Sequence, residues 1–121
     1  MSYMLVIVEG PEDRRIAGRA EGERRYARML DYAAGLKERG KLVRAESLLA
    51  QDSAVRISKR DGRATSVDGP FAEAKEMIGG FFLLQNVGRE EAIAIAQRCP
   101  AAQWATVEVR PLAPCFDESQ A

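Results

Sequence analysis

The sequence predicts an α+β fold, and three observations carry that prediction. Short apolar runs at residues 3–8 and 81–84 have strand character, residues 23–39 and 89–99 repeat apolar side chains at helical spacing, and Asp61-Gly62 separates two strand-like segments. At 121 residues the chain fits one domain, since a chain this size buries roughly two-thirds of its unfolded surface in one core. That domain is expected over residues 1–113, with a flexible C-terminal tail at 114–121.

Each element follows from its residues. The run at 3–8 is apolar at both alternating positions, the pattern of a central strand covered from two sides. Residues 9–22 mix Gly10, Pro11, Gly18 and Gly22 with several charges and read as a polar connection holding a short helical turn. From 23 to 39, Tyr26, Met29, Leu30, Ala33 and Leu36 form one helical face, and Gly40 is placed to stop the helix. A strand follows at 42–49. Residues 55–60 and 63–68 flank Asp61-Gly62, a strong two-residue hairpin signal, and that register sets Arg60 opposite Arg63 at an exposed tip. After a strand at 81–84, Ala92, Ile93, Ala96 and Cys99 share a helical face that Pro100 terminates. In the last strand, 104–110, Ala105, Val107 and Val109 point one way and Trp104, Thr106, Glu108 and Arg110 the other.

The totals exclude several functions. Lys plus Arg equals Asp plus Glu at 18 each, which removes the electrostatic drive that dominates nucleic-acid affinity. The opening residues carry no basic leader and their apolar run is far too short for a membrane span. Cys99 and Cys115 lack a CxxC spacing and read as free thiols suited to a reducing cytoplasm. With no histidine in the chain, imidazole is excluded as base, metal ligand or proton shuttle, and nothing calls for a metal or another cofactor.

This order of elements is a ferredoxin-like arrangement, in which two long helices cover one face of a mainly antiparallel sheet. The other face then stays bare, yet residues 3–8 and 81–84 put bulky apolar groups on it. Exposing them costs on the order of 25 cal/mol per Å². No third long helix is available, so a second copy stacking sheet on sheet is the expected cover.

Residues 68–80, Asp-Gly-Pro-Phe-Ala-Glu-Ala-Lys-Glu-Met-Ile-Gly-Gly, concentrate Gly, Pro and ionisable groups. On a structural reading, Asp68 caps a helix start, Gly69 takes an unusual φ, Pro70 suits the first turn and Phe71 plugs the core. Glu73 and Glu76 then bracket a short helix that Gly79 ends, with Lys75 near its C-terminal end. A functional reading makes Asp68, partly desolvated by Phe71, a general base and Lys75 an anchor for an anionic substrate. Glu108 and Arg110 join such a site if their face looks into an interface cleft, with Arg110 as a carboxylate clamp; the plainer alternative is a cross-strand ion pair.

The string DGPFAEAKE followed by GGFFLL resembles the YCII-related proteins that carry a DGPF motif, and the likeness extends over nearly the whole chain. The resemblance implies a dimeric α/β barrel with clefts near the sheet–sheet interface, here lined by Asp68, Gly69, Pro70, Phe71, Glu73, Lys75, Glu76, Glu108 and Arg110. It also implies, for some members, elimination or lyase chemistry run by a histidine and an aspartate. This chain has no histidine, so an enzyme here would be an Asp68-centred lyase or isomerase. The expected function is a cytoplasmic homodimer that binds a small polar or anionic metabolite. The alternative is a non-catalytic regulatory or protein-interaction module in which the Asp61-Gly62 arm or the basic face of Arg24, Arg25 and Arg28 docks a protein partner; the resemblance also implies a setting near alternative sigma factors.

Overall fold

The apolar run at the start forms β1 (Tyr3–Glu9), an interior strand of a four-stranded antiparallel sheet. The structure, a computed structural model, describes residues 1–116, so residues 117–121 of the expected tail lie outside it. After β1 come α1 (Asp13–Ala17), α2 (Arg19–Glu38), β2 (Leu42–Ser47), the ribbon β3 (Val55–Arg60) and β4 (Arg63–Asp68), β5 (Met77–Leu84), α3 (Arg89–Arg98) and β6 (Thr106–Pro111). The sheet order is β2-β5-β1-β6, the ferredoxin-like order with the β3–β4 ribbon inserted between β2 and β5.

Strand alternation gives this sheet two apolar faces. On one, Tyr3, Leu5, Phe82 and Leu84 are buried with Leu36 of α2 and Ala92, Ile95 and Ala96 of α3, and Val107 and Val109 pack against them. The Tyr32 hydroxyl donates to Ile95 O at 2.6 Å and ties the two long helices together. Tyr3, at the start of β1, belongs to this core. On the other face the ladder sets Met4 opposite Leu83, Val6 opposite Phe81 and Val8 opposite Ile78, and Ile78 remains 55% exposed. Glu108 and Arg110 lie beside Val6 and Met4 on that face.

Several boundaries differ from the sequence expectation. α2 begins four residues early, at Arg19, because Gly18 at φ 85° turns the chain out of α1 and its carbonyl accepts the Gly22 amide. Its C-terminus is as expected, with Gly40 at φ 72° and the Lys41 amide returning to Leu36 O. The strand expected at 42–49 ends at Ser47. Trp104 and Ala105 precede β6 instead of opening it. The largest correction is in the motif: no helix forms between Pro70 and Gly79. Met77 to Gly80 are drawn into β5, pairing with Glu9, Val8 and Ile7 of β1, so Gly79 is the extra residue of a bulge and not a helix stop.

Candidate functional site

The motif is a compact turn that roots the ribbon. Gly69 donates to Ala54 O at 2.8 Å, and a Cβ on it would lie 1.8 Å from Gln51 O, so glycine is required by close approach and not by an unusual φ. The Gly69-Pro70 peptide is cis. With no helix at 70–79, Pro70 does not take the first-turn position expected of it. Phe71 is buried, as expected, and the Arg56 guanidinium stacks 3.8 Å from its ring centroid. Arg56 also pairs with Glu73 at 2.8 Å. A backbone hydrogen bond at Glu73 itself, then Arg56, holds that carboxyl below its ordinary value. The ribbon is thus gripped at its root, while all of its strand residues stay exposed. At the tip Arg60 does face Arg63.

A second arrangement lies where the motif joins the sheet. Arg14, at the start of α1, reaches back across the end of β1: its Nε donates to Glu9 Oε1 at 2.5 Å, its Nη1 to Leu48 O at 2.7 Å and its Nη2 to Gly79 O at 3.1 Å. The Glu9 side chain is only 8% exposed and that of Arg14 37%. Both groups pack over Gly79, where a Cβ would come within 2.8 Å of Glu9 Oε2 and of Arg14 Nη2. The glycine leaves room for the pair.

The Glu9–Arg14 pair borders a cleft of about 510 Å³ between α2 and the sheet. Its apolar wall includes Ile7, Met29, Leu30 and Phe82, and its rim includes Tyr26 and Trp104. Trp104 is held by Arg25 and Arg28, whose guanidinium carbons lie 5.1 and 5.3 Å from its ring centroid. Arg25 and Arg24 both donate to Glu21, and the hydrogen bond from Arg24 is the leading cause that lowers the Glu21 pKa. A second, polar groove of about 450 Å³ shares Glu9, Asp13 and Trp104 with the first and adds Lys75 and Glu76 of the motif. A cavity that pairs an apolar wall with few fixed polar groups is the usual form of a small-molecule site.

The expected site residues therefore fall in three places. Lys75 and Glu76 border the polar groove. Asp68 is exposed at the foot of β4, so the desolvation expected from Phe71 is absent in the single subunit. Among the described residues its carboxylate makes no hydrogen bond or ion pair. Gly69, Pro70, Phe71 and Glu73 build the root of the ribbon and border neither cleft. Glu108 and Arg110 pair with each other at 3.1 Å along the same strand, β6, and not across the sheet, where their partners are the apolar Val6 and Met4. Thr106 pairs with Val8 near the motif end of β1, whereas Arg110 pairs with Met4, four residues along and about 13 Å away at the usual strand rise. Sequence reasoning missed Glu9 and Arg14; the signal available was a charged residue ending an otherwise apolar strand, followed at once by a charged glycine-containing turn.

Comparison with known proteins sets this geometry in a family. A stretch of 78 residues is 37% identical to an uncharacterised protein of Rhizobium meliloti (strain 1021), and that stretch spans 63% of either chain. The fold is similar to that of 5-chloro-2-hydroxyhydroquinone dehydrochlorinase (TftG) from Burkholderia phenoliruptrix AC1100, solved with 2,5-dihydroxybenzoquinone. The TM-score is 0.56 at 16% identity, over 93% of this chain and 94% of that one. The model of the YCII-related domain matches residues 1–115, and the chain belongs to that family.

Proposed function

We infer that the protein is a cytoplasmic homodimer that binds a small polar metabolite in the cleft beneath α2, beside the DGPF motif, with lyase-type proton abstraction as the reaction its residues can support. The observation that carries this reading is a carboxylate, Glu9, with an 8% exposed side chain fixed by Arg14 at a cleft that combines apolar and aromatic groups with a charged border. A carboxylate so held is a stronger candidate base than exposed Asp68, because proton transfer needs a group within reach of a sequestered ligand. Asp68, Glu108 and Arg110 enter the site in this reading only across a dimer, from the second subunit. The sheet face turned away from both long helices supports that dimer: on it Ile78 is exposed and Met4, Val8, Phe81 and Leu83 are half-buried around buried Val6. That a fold relative is a dehydrochlorinase supports elimination chemistry as the reaction class.

Two measurements test it. A thermal-shift screen of polar metabolites should find a stabiliser whose effect Glu9→Gln abolishes, and a screen without any such compound counts against the binding reading. Sedimentation should give a dimer at micromolar concentration that Ile78→Asp converts to monomer; a wild-type monomer removes the dimeric arrangement.

The alternative, an interaction module, rests on the ribbon, which is clamped in direction by Arg56 yet buries none of its strand residues. Charge reversal at Lys59 and Arg63 should release a captured partner if this reading holds, and unchanged recovery counts against it. The basic face of α2 serves it less well, since Glu21 already neutralises Arg24 and Arg25.

A further inference from the structure

The pairing of charges around the cleft beneath α2 decides which ligand charge it accepts. Its bordering cations are Arg14, Arg19 and Arg25, and each is engaged: Arg14 by Glu9, Arg19 by Glu23 at 2.9 Å, and Arg25 by Glu21 at 3.1 Å. All three nitrogens of Arg14 already donate, two of them to the backbone carbonyls of Leu48 and Gly79. Each cation is thus charge-compensated by its own carboxylate, and an incoming carboxylate or phosphate finds spare N–H donors but no uncompensated positive charge.

Glu9 is in the opposite condition. A carboxylate has about four acceptor positions, and Arg14, the one donor residue that reaches Glu9 among the described residues, fills at most two of them. The remaining lone pairs sit on a side chain 8% exposed that borders the cleft. These lone pairs face the cleft, where a ligand O–H or N–H can take the place of a water donor, and a ligand anion brought against them is repelled.

We propose that this cleft selects uncharged ligands that carry a hydroxyl or N–H donor on an apolar body, the donor bonding to Glu9 and the body lying against Ile7, Met29 and Phe82, and that Glu9 excludes anions. The inference deepens the metabolite-binding reading and rests on it. Of the polar or anionic metabolite expected from the sequence it keeps the polar arm, because Lys75 lies in the adjoining groove and Arg110 is paired with Glu108.

The test uses probes that share one body and differ in charge: benzyl alcohol, benzamide and benzoate. Trp104 is the single tryptophan and borders the cleft, so its fluorescence reports occupancy, with backbone amide shifts around Glu9 as a second readout. Benzyl alcohol and benzamide should bind the wild-type protein about tenfold or more tighter than benzoate, and Glu9→Gln should shrink that ratio to about threefold or less. Benzoate binding as tightly as benzyl alcohol to the wild type overturns the inference and leaves the cleft as a binding site. A ratio unchanged in Glu9→Gln overturns the assignment to Glu9. If no probe of either charge perturbs Trp104 or the amides, the inference and the binding reading fall together. Should Glu9→Gln fail to fold, the wild-type ratio alone decides.

Discussion

Replacing Arg14 by Met tests whether the Glu9–Arg14 pair organises the end of the sheet. The change keeps an unbranched side chain of moderate length but removes three hydrogen bonds, to Glu9, Leu48 O and Gly79 O, and leaves a carboxylate that is 8% exposed without its partner. Breaking a fully buried pair costs about 3–5 kcal/mol; Arg14 is 37% exposed, so solvent relaxes part of that and the expected loss is about 2–3 kcal/mol. For a chain of this length, that lowers Tm by about 6–12 °C. Glu9→Gln should cost less, about 1–2 kcal/mol, because Arg14 keeps its two carbonyl partners. Urea unfolding followed by circular dichroism, on both single variants and the double variant, gives the coupling energy. A coupling of about 1.5 kcal/mol is expected, and additivity within about 0.5 kcal/mol would refute a direct interaction between the two side chains.

Three further outcomes follow from the geometry. Gly69→Ala puts a Cβ where Gln51 O already lies, so the ribbon root must shift; the expected loss is about 3 kcal/mol, read as a lower urea midpoint, and an unchanged midpoint contradicts the close approach. Arg56→Ala removes the stacking on Phe71 and the pair with Glu73, both in partly exposed surroundings; about 1 kcal/mol is expected, with faster hydrogen exchange confined to β3 and β4. Burial pushes the Cys99 thiol above its ordinary pKa, whereas Cys115 is exposed. A disulfide-exchange reagent should therefore titrate one thiol in the native protein at pH 8 and two after unfolding, and rapid native reaction of both contradicts the packing.

Most of the framework was legible in the sequence because it rests on periodicity. β1, the ribbon with its Asp61-Gly62 turn, α3 and β6 follow from alternation, helical spacing and a turn dipeptide, each a local signal. The motif misled for a physical reason. Asp68, Pro70, Glu73 and Gly79 carry the composition of a capped helix, but Phe71 is buried and Met77 to Gly80 find ladder partners in β1, so long-range pairing overrides local preference. The Glu9–Arg14 pair was illegible for a related reason. Its residues sit in a stretch whose glycines and mixed charges resemble a solvated connection, and only the bulge at Gly79 creates the space in which Arg14 meets the sheet. The cleft needs α2, β1, β2 and β5 together, so no local segment announces it.

The ribbon leaves and rejoins the sheet at adjacent points, since the Leu48 amide bonds Gly79 O and β2 runs directly beside β5. A chain excursion whose ends meet in this way is thermodynamically separable from its scaffold: it can be shortened, lengthened or exchanged at small cost in loop entropy while the ladders on either side stay paired. Recognition surfaces carried on such an appendage are free to diversify between relatives while the scaffold that carries them keeps its register.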